Sequence, residues 1–286
     1  MYIYKTAVFF SQTDVSRKHT RRHCIIEKKL DIKADNKRLH NLTLASIGVM
    51  AYVFADIIHE VIGHGLTSLI LGNKITLLTS VYFRSEPHSF VTDIFGPIFN
   101  LVAGLTIRAV LKQVDISNLY IKLLLILTMA FNFFWFSWMC IYSGITNKGD
   151  FAFYVSGQTE LYIWRLFLII SGLFTYYLTF KLTLKRTGFQ SLSAKINIRQ
   201  LFRIPYLAAG ISALIAVSFY RPFSFDNYIE AFIYPMFFPI LFLSRQLKNS
   251  KRIDKAYSFG LQEKLILLGL TLAIFFSLTM GKGLKW

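Results

Sequence analysis

The chain has 286 residues, of which 54% are hydrophobic and only 16% are charged. A soluble domain of this length has roughly a quarter of its residues charged, so the composition excludes an ordinary soluble globular protein. The net charge of +17 does not indicate a nucleic-acid partner, because the Lys and Arg residues lie between apolar runs, as in the loops that orient membrane proteins.

The N-terminal residues 1–41 are polar and basic, which predicts a solvated tail. Seven apolar windows follow, and several approach the ~20 residues that a helix needs to cross the hydrocarbon core of a bilayer. The windows cover residues 42–71, 90–111, 118–145, 161–184, 204–220, 231–244 and 265–280. The sixth window is short and contains Pro235 and Pro239, so we predict six or seven transmembrane helices. Residues 42–286 are therefore predicted to form a single transmembrane domain.

A different pattern lies between the first two windows. Residues 75–89 are rich in β-branched and aromatic side chains and contain Pro87, which predicts a strand or hairpin rather than a helix. The predicted fold class is an all-α polytopic membrane protein with a short β-hairpin or re-entrant loop between its first two helices. Loops 181–203 and 245–264 each carry six Lys or Arg residues, and the alternate loops carry few. This distribution predicts a multi-pass protein with a cytoplasmic N-terminus.

Four ionisable residues lie close together in the first apolar window: Asp56, His59, Glu60 and His64. A charged side chain in the middle of a bilayer is costly, and a helix needs none in order to span the membrane. Their presence therefore indicates a partner, and a metal ion is the commonest partner for clustered histidine and acidic side chains. Hydrogen bonds to neighbouring helices are the alternative.

The spacing of the two histidines departs from the familiar zinc pattern His-Glu-x-x-His. In that pattern the histidines lie about 40° apart around a helix and bind one ion, with the Glu as general base. Here His59 and His64 are five residues apart, which on a regular helix separates them by about 140°. Two arrangements stay open. A π-bulge near Gly63 absorbs the extra residue, or Asp56, Glu60 and His64 form one stripe and His59 has another role.

At these residues the chain resembles the site-2 protease family of intramembrane zinc metalloproteases. Residues 59–64, His-Glu-Val-Ile-Gly-His, are similar to the family's His-Glu-x-Gly-His with one residue added. Residues 96–100, Gly-Pro-Ile-Phe-Asn, are similar to its Gly-Pro-x-x-Asn motif in the second core helix. The family also has a β-hairpin or re-entrant loop between these two helices. The resemblance covers residues 55–160, within a metalloprotease core at 42–160.

The resemblance implies a Zn²⁺-dependent peptidase that cleaves a membrane-embedded segment of a transmembrane protein substrate. It implies His59 and His64 as metal ligands together with a later aspartate, for which Asp150 is the candidate and Asp93 the rival. Glu60 is the expected general base, and Asn100 is expected to help stabilise the oxyanion. The strand near residues 75–83 is expected to pair with the unwound substrate.

Two other functions stay open from the residues alone. One is a non-catalytic polytopic membrane protein, either a transporter or an inactive protease homologue, which the extra residue between His59 and His64 favours. The other is a membrane metalloenzyme that acts on lipid. Of the remaining features, the aromatic run at residues 132–138 is predicted to pack against lipid. His88 is predicted to be a surface residue, with a supplementary ligand or a gate as the alternative.

Overall fold

The computed structural model describes residues 37–186, 198–236 and 261–286. The chain divides into two compact units, Met1–Leu42 and Thr43–Trp286. Of the first unit, only residues 37–42 are described, so the predicted basic tail lies almost wholly outside the described residues. The fold that follows is that of the second unit, and its first helix begins in residues 37–42.

The described ranges are mostly helical. Their helices are α1 Lys37–Ile70, α2 Phe90–Gln113, α3 Leu119–Thr146, α4 Ala152–Ser156, α5 Leu161–Arg186, α6 Ile198–Ser218, α7 Phe225–Met236 and α8 Gln262–Phe276. Six of these described helices are long and apolar enough to cross a membrane: α1, α2, α3, α5, α6, and α8 with its continuation to Gly281. The number lies within the predicted six to seven. Helix α7 overlaps the start of the sixth predicted window, and the rest of that window lies outside the described residues.

A small sheet lies beside the helices. Strands β1, Lys74–Leu78, and β2, Phe83–Glu86, form an antiparallel hairpin with Leu78 opposite Phe83. This confirms the hairpin predicted between the first two long helices. A third strand, β3, Leu284–Lys285, pairs antiparallel with the other edge of β1, so the strand order is β2-β1-β3. The sequence pattern did not predict β3, because a two-residue strand has no periodicity of its own.

Helix α3 lies at the centre of the helical packing. The most apolar window of α3 is 78% buried inside the protein, whereas that of α5 is only 11% buried. The Asn118 side chain begins α3 by accepting hydrogen bonds from the backbone N–H groups of Tyr120 and Ile121. Asn147 ends α3 in a left-handed conformation. Helix α3 is therefore the buried element, and α5 exposes most of its apolar surface.

Helices α1 and α2 cross very closely, because each has a glycine at the crossing point. A Cβ atom added to Gly63 of α1 would lie 2.5 Å from the Gly96 Cα atom of α2. No side chain fits at that distance, so any larger residue would push the helices apart. This close approach brings the ionisable residues of α1 against the Gly-Pro-x-x-Asn segment of α2.

Candidate metal centre

The histidine pair lies in a π-helical segment of α1 that covers Ile57–Leu66. A π-helix has hydrogen bonds between residues five apart, so His59 and His64 come to the same face of the helix. Their Nε2 atoms are 3.2 Å apart, and their ring centroids are 4.7 Å apart. Of the two arrangements left open by the spacing, the structure has the first, extended from a local bulge to ten residues.

Asp150 comes to the histidine pair from the turn after α3. Asn147 and Gly149 both have positive φ, 55° and 83°, and these left-handed residues reverse the chain. The Asp150 Oδ2 atom then lies 3.1 Å from His59 Nε2, and its Oδ1 atom lies 3.8 Å from His64 Nε2. One ligand atom from each of the three residues lies within 4.8 Å of the others. These residues could therefore hold one metal ion.

The rival aspartate is engaged elsewhere. Asp93 Oδ2 lies 2.9 Å from Nε2 of His88, whose side chain is half exposed. The His88 ring also packs edge-on against Phe153, with centroids 4.6 Å apart. His88 is thus a partner of Asp93 near the protein surface, and Asp150 is the acid that joins the histidine pair.

The hydrogen bonds at Nδ1 determine which nitrogen of each histidine carries the proton. His59 Nδ1 lies 2.6 Å from Asn100 Oδ1, and His64 Nδ1 lies 2.8 Å from the backbone oxygen of Thr92. Both oxygens can only accept, so each Nδ1–H donates. Neutral imidazole has one N–H, and each Nε2 therefore has a bare lone pair. Metal-ligating histidines use their second nitrogen in this way.

The arrangement fits a cation. Two imidazole lone pairs 3.2 Å apart beside a carboxylate oxygen repel one another unless a positive charge lies among them. The three separations, 3.1, 3.2 and 3.8 Å, are short enough for one small cation to contact all three side chains. Among the described residues, no hydrogen-bond donor satisfies the buried Oδ2 atom of Asp150.

Aromatic and glycine residues form the walls around the two imidazoles. Phe83, the first residue of β2, stacks on the His64 ring with centroids 5.3 Å apart, and Trp135 of α3 packs on the His59 ring at 5.2 Å. A Cβ atom on Gly96 would lie 2.4 Å from His64 Nε2. Both imidazole rings therefore lie against apolar neighbours.

Two further acids of α1 lie near the histidines in sequence. Glu60 is in the π-helical segment and is 4% exposed, and its Oε2 atom has no hydrogen-bond partner among the described residues. Asp56 is fully buried and accepts a long hydrogen bond of 3.4 Å from the Tyr52 hydroxyl. Both acids are thus buried in the same helix as the two histidines.

Asn100 of α2 and Asn132 of α3 form a hydrogen-bonded chain that begins at His59, one of the candidate ligands. The Asn100 amide nitrogen donates to the Ala55 backbone oxygen at 3.0 Å and to Asn132 Oδ1 at 2.8 Å. Both of its hydrogens are therefore used, and its Oδ1 atom faces His59.

The prediction that residues 132–138 pack against lipid is wrong at its first positions. Asn132 is fully buried, and Phe133, Phe134 and Trp135 are at most 5% exposed. They pack inside the protein because α3 is the central helix. An asparagine within an apolar run was the signal that could have indicated this, because polar side chains in such helices face the protein interior.

Comparison with known proteins does not indicate a function for this chain. No family model, no curated protein and no solved structure matches it. The functional conclusion therefore rests on the residues and distances described above.

Proposed function

We propose that this chain is a multi-pass membrane protein that acts as a zinc-dependent intramembrane peptidase of the site-2 protease type. The observation that carries the proposal is the convergence of two bare Nε2 atoms, of His59 and His64, on the carboxylate of Asp150. The extra residue that favoured a non-catalytic scaffold is absorbed by the π-helical segment. It therefore no longer argues against a metal site.

The apolar surface of the protein supports its location in a membrane. Helix α5 exposes large apolar side chains along its length, and a patch of this size in water would drive association. Examples with their exposed fractions are Tyr162 82%, Ile163 64%, Phe167 57% and Phe174 62%. A lipid bilayer covers such a surface without a protein partner.

The donor set supports zinc as the ion. Two imidazole nitrogens and one carboxylate oxygen are ligands that zinc prefers, and three protein ligands leave a coordination position open, as in catalytic rather than structural sites. His59 and His64 would bind through Nε2, and Asp150 through its carboxylate. When bound, zinc supplies Lewis-acid chemistry that activates water and polarises a peptide carbonyl.

Glu60 is the residue that moves protons in this proposal. Its carboxylate takes a proton from the attacking water while the oxygen of that water bonds to the peptide carbonyl carbon. It then donates the proton to the leaving amine as the carbon–nitrogen bond breaks. Its buried Oε2 atom, which has no hydrogen-bond partner in the part of the chain that the structure describes, is suited to this exchange.

We assign Asn100 a different role from the one that the resemblance implies. An oxyanion needs a free hydrogen-bond donor, and both amide hydrogens of Asn100 are donated to Ala55 and Asn132. Its Oδ1 atom accepts from His59 Nδ1. Asn100 is therefore a positioning residue for His59.

The sheet supports a binding mode for an extended substrate. Strand β1 is paired on both sides, with β2 and with β3, so it cannot accept a further strand where these pairs form. The outer edge of β2 is the edge of the sheet, and β2 begins at Phe83, which contacts His64. An unwound substrate that adds to β2 would lie beside the metal ligands.

The test uses the full chain purified in detergent and a model substrate with one transmembrane segment. We expect about one zinc ion per chain in both the wild type and Glu60→Gln, because Glu60 is not a ligand. We expect cleavage by Glu60→Gln to fall by ~10²–10⁴-fold, because the general base is lost. Equal activity of the two proteins in every hydrolysis assay would rule out the peptidase.

A further inference from the structure

Asn132 is the polar side chain of α3 that connects the centre of the protein to the metal site. It is fully buried, and it makes two side-chain hydrogen bonds. Its amide nitrogen donates to the backbone oxygen of Thr128 at 2.8 Å, and its Oδ1 atom accepts from the amide of Asn100 at 2.8 Å. Nothing in the sequence motifs includes this residue.

The donors and acceptors along the contacts from Thr128 to Asn132, Asn100 and His59 allow one orientation of each side-chain amide and one tautomer of His59. The Thr128 backbone oxygen can only accept, so Asn132 must turn its amino group towards α3 and its Oδ1 atom towards Asn100. Asn100 must then present its amino group to Asn132 and its Oδ1 atom to His59. His59 in turn must carry its proton on Nδ1, which leaves Nε2 bare.

We propose that Asn132 is a positioning residue of the metal centre that sets the tautomer of His59 through Asn100. The inference deepens the proposed function and rests on its metal site. Without Asn132, only the 3.0 Å hydrogen bond to the Ala55 backbone oxygen still holds the Asn100 amide in this orientation, so part of the population turns over and donates to His59 Nδ1. The proton of His59 then moves to Nε2, where it blocks the atom that would bind the metal.

His64 provides an internal comparison within the same site. Its Nδ1 atom donates to a backbone oxygen, that of Thr92, at 2.8 Å. A backbone carbonyl in a helix cannot exchange its oxygen for a donor as an amide side chain can. The tautomer of His64 is therefore independent of Asn132, and only that of His59 depends on the side-chain relay.

The experiment measures tautomers directly in the metal-free, full-length protein labelled with ¹⁵N-histidine, by NMR in detergent micelles. His59→Gln and His64→Gln spectra assign the two signals. We expect both histidines to carry the proton on Nδ1 in the wild type. In Asn132→Leu we expect His59 to populate the Nε2–H form while His64 stays unchanged.

Ser137→Ala is the matched control. Ser137 is also fully buried in α3, and its hydroxyl contacts the Phe133 backbone oxygen at 2.8 Å and Thr175 Oγ1 at 2.9 Å. Its loss removes a buried helix–helix hydrogen bond that is not connected to His59. We expect this variant to keep the wild-type tautomers, which separates the relay from a general loss of packing.

Asn132→Asp is the conservative variant, and it provides a second test if Asn132→Leu does not fold. Its carboxyl still accepts from the Asn100 amide, so we expect the wild-type tautomer of His59. Zinc affinity is the second measurement. We expect it to weaken by roughly 10–100-fold in Asn132→Leu, as for other partners of metal ligands, and by far less in Asn132→Asp and Ser137→Ala.

The outcomes distinguish this proposal from the proposed function. An unchanged His59 tautomer in Asn132→Leu, with zinc affinity equal to that of Ser137→Ala, overturns the relay even if the protein cleaves its substrate. A wild-type protein that binds no zinc overturns the proposed function, and the tautomer spectra still decide whether Asn132 orients His59.

Discussion

Gly96 lies directly against the two imidazoles, where no side chain fits. An added Cβ atom would be 2.4 Å from both Cε1 and Nε2 of His64 and 3.0 Å from Cε1 of His59. Asn100 follows Gly96 by one turn of α2 and accepts from His59. The Gly-Pro-x-x-Asn motif therefore has a physical basis: its first residue makes room for the rings, and its last residue orients one of them.

Because a side chain at position 96 has no room beside the His64 ring, we predict that Gly96→Ala weakens metal binding. The methyl group must displace the His64 ring, so we expect zinc affinity to fall on the order of 10-fold or more. Gly104→Ala is the control, because its Cβ atom would instead lie 2.7 Å from the ring of Phe133. Titration with zinc in detergent measures both. A larger affinity loss in Gly104→Ala would contradict this account of the motif.

At the scale of elements, the β1–β2 hairpin contacts the candidate metal centre through Phe83 and is attached to other parts of the protein. The Tyr82 hydroxyl donates to Asn227 Oδ1 of α7 at 2.8 Å, and the Ser80 backbone N–H donates to the Met280 backbone oxygen at 3.0 Å. Burial raises the pKa of Tyr82 above its ordinary value, and the nearby Glu230 carboxyl adds to the shift. These bonds hold the hairpin where Phe83 stacks on His64, a candidate metal ligand.

This attachment predicts that Tyr82→Phe loosens the hairpin. One hydrogen bond contributes ~1 kcal/mol, so we expect roughly fivefold faster hydrogen–deuterium exchange at residues 79–86. Tyr220→Phe is the control, because its ring lies 6.4 Å from that of Tyr82 and only a hydroxyl is removed. Equal exchange in the two variants would show that the Tyr82–Asn227 bond does not hold the hairpin.

At the scale of the whole molecule, the three candidate ligands come from two distant parts of the chain. His59 and His64 belong to α1, and Asp150 lies after α3. An ion bound by all three would join the first long helix to the turn that follows the central helix. Such a link stabilises the folded protein, because the unfolded chain does not bring the ligands together.

Zinc is therefore predicted to raise the stability of the protein in detergent. At a free zinc concentration of 100 times the Kd, the expected gain is about 2.7 kcal/mol, measured as a shift of the thermal unfolding transition. We expect Asp150→Ala to lose this shift and His88→Ala to keep it, since His88 contacts Asp93 rather than the ligands. An equal shift in Asp150→Ala would exclude Asp150 as a ligand.

Much of the fold and part of the site follow from local patterns. Apolar windows become helices because backbone groups without water must be paired within their own segment, and six of the seven predicted windows overlap the described long helices. Most of the other window, 231–244, lies outside the described residues. The hairpin follows from its β-branched and aromatic residues and Pro87. The cost of burying ionisable groups in a bilayer is sufficient by itself to indicate His59 and His64 as residues of a site. The cytoplasmic N-terminus stays a prediction.

The tertiary structure decided the rest. It determined the π-helical register that pairs His59 with His64, the choice of Asp150 over Asp93, and the burial of Asn132. Each of these depends on contacts between segments far apart in the chain, such as the close crossing of α1 and α2. A local pattern reports which residues are apolar, polar or strained, but the side of a helix that meets a distant partner is determined only when the helices pack.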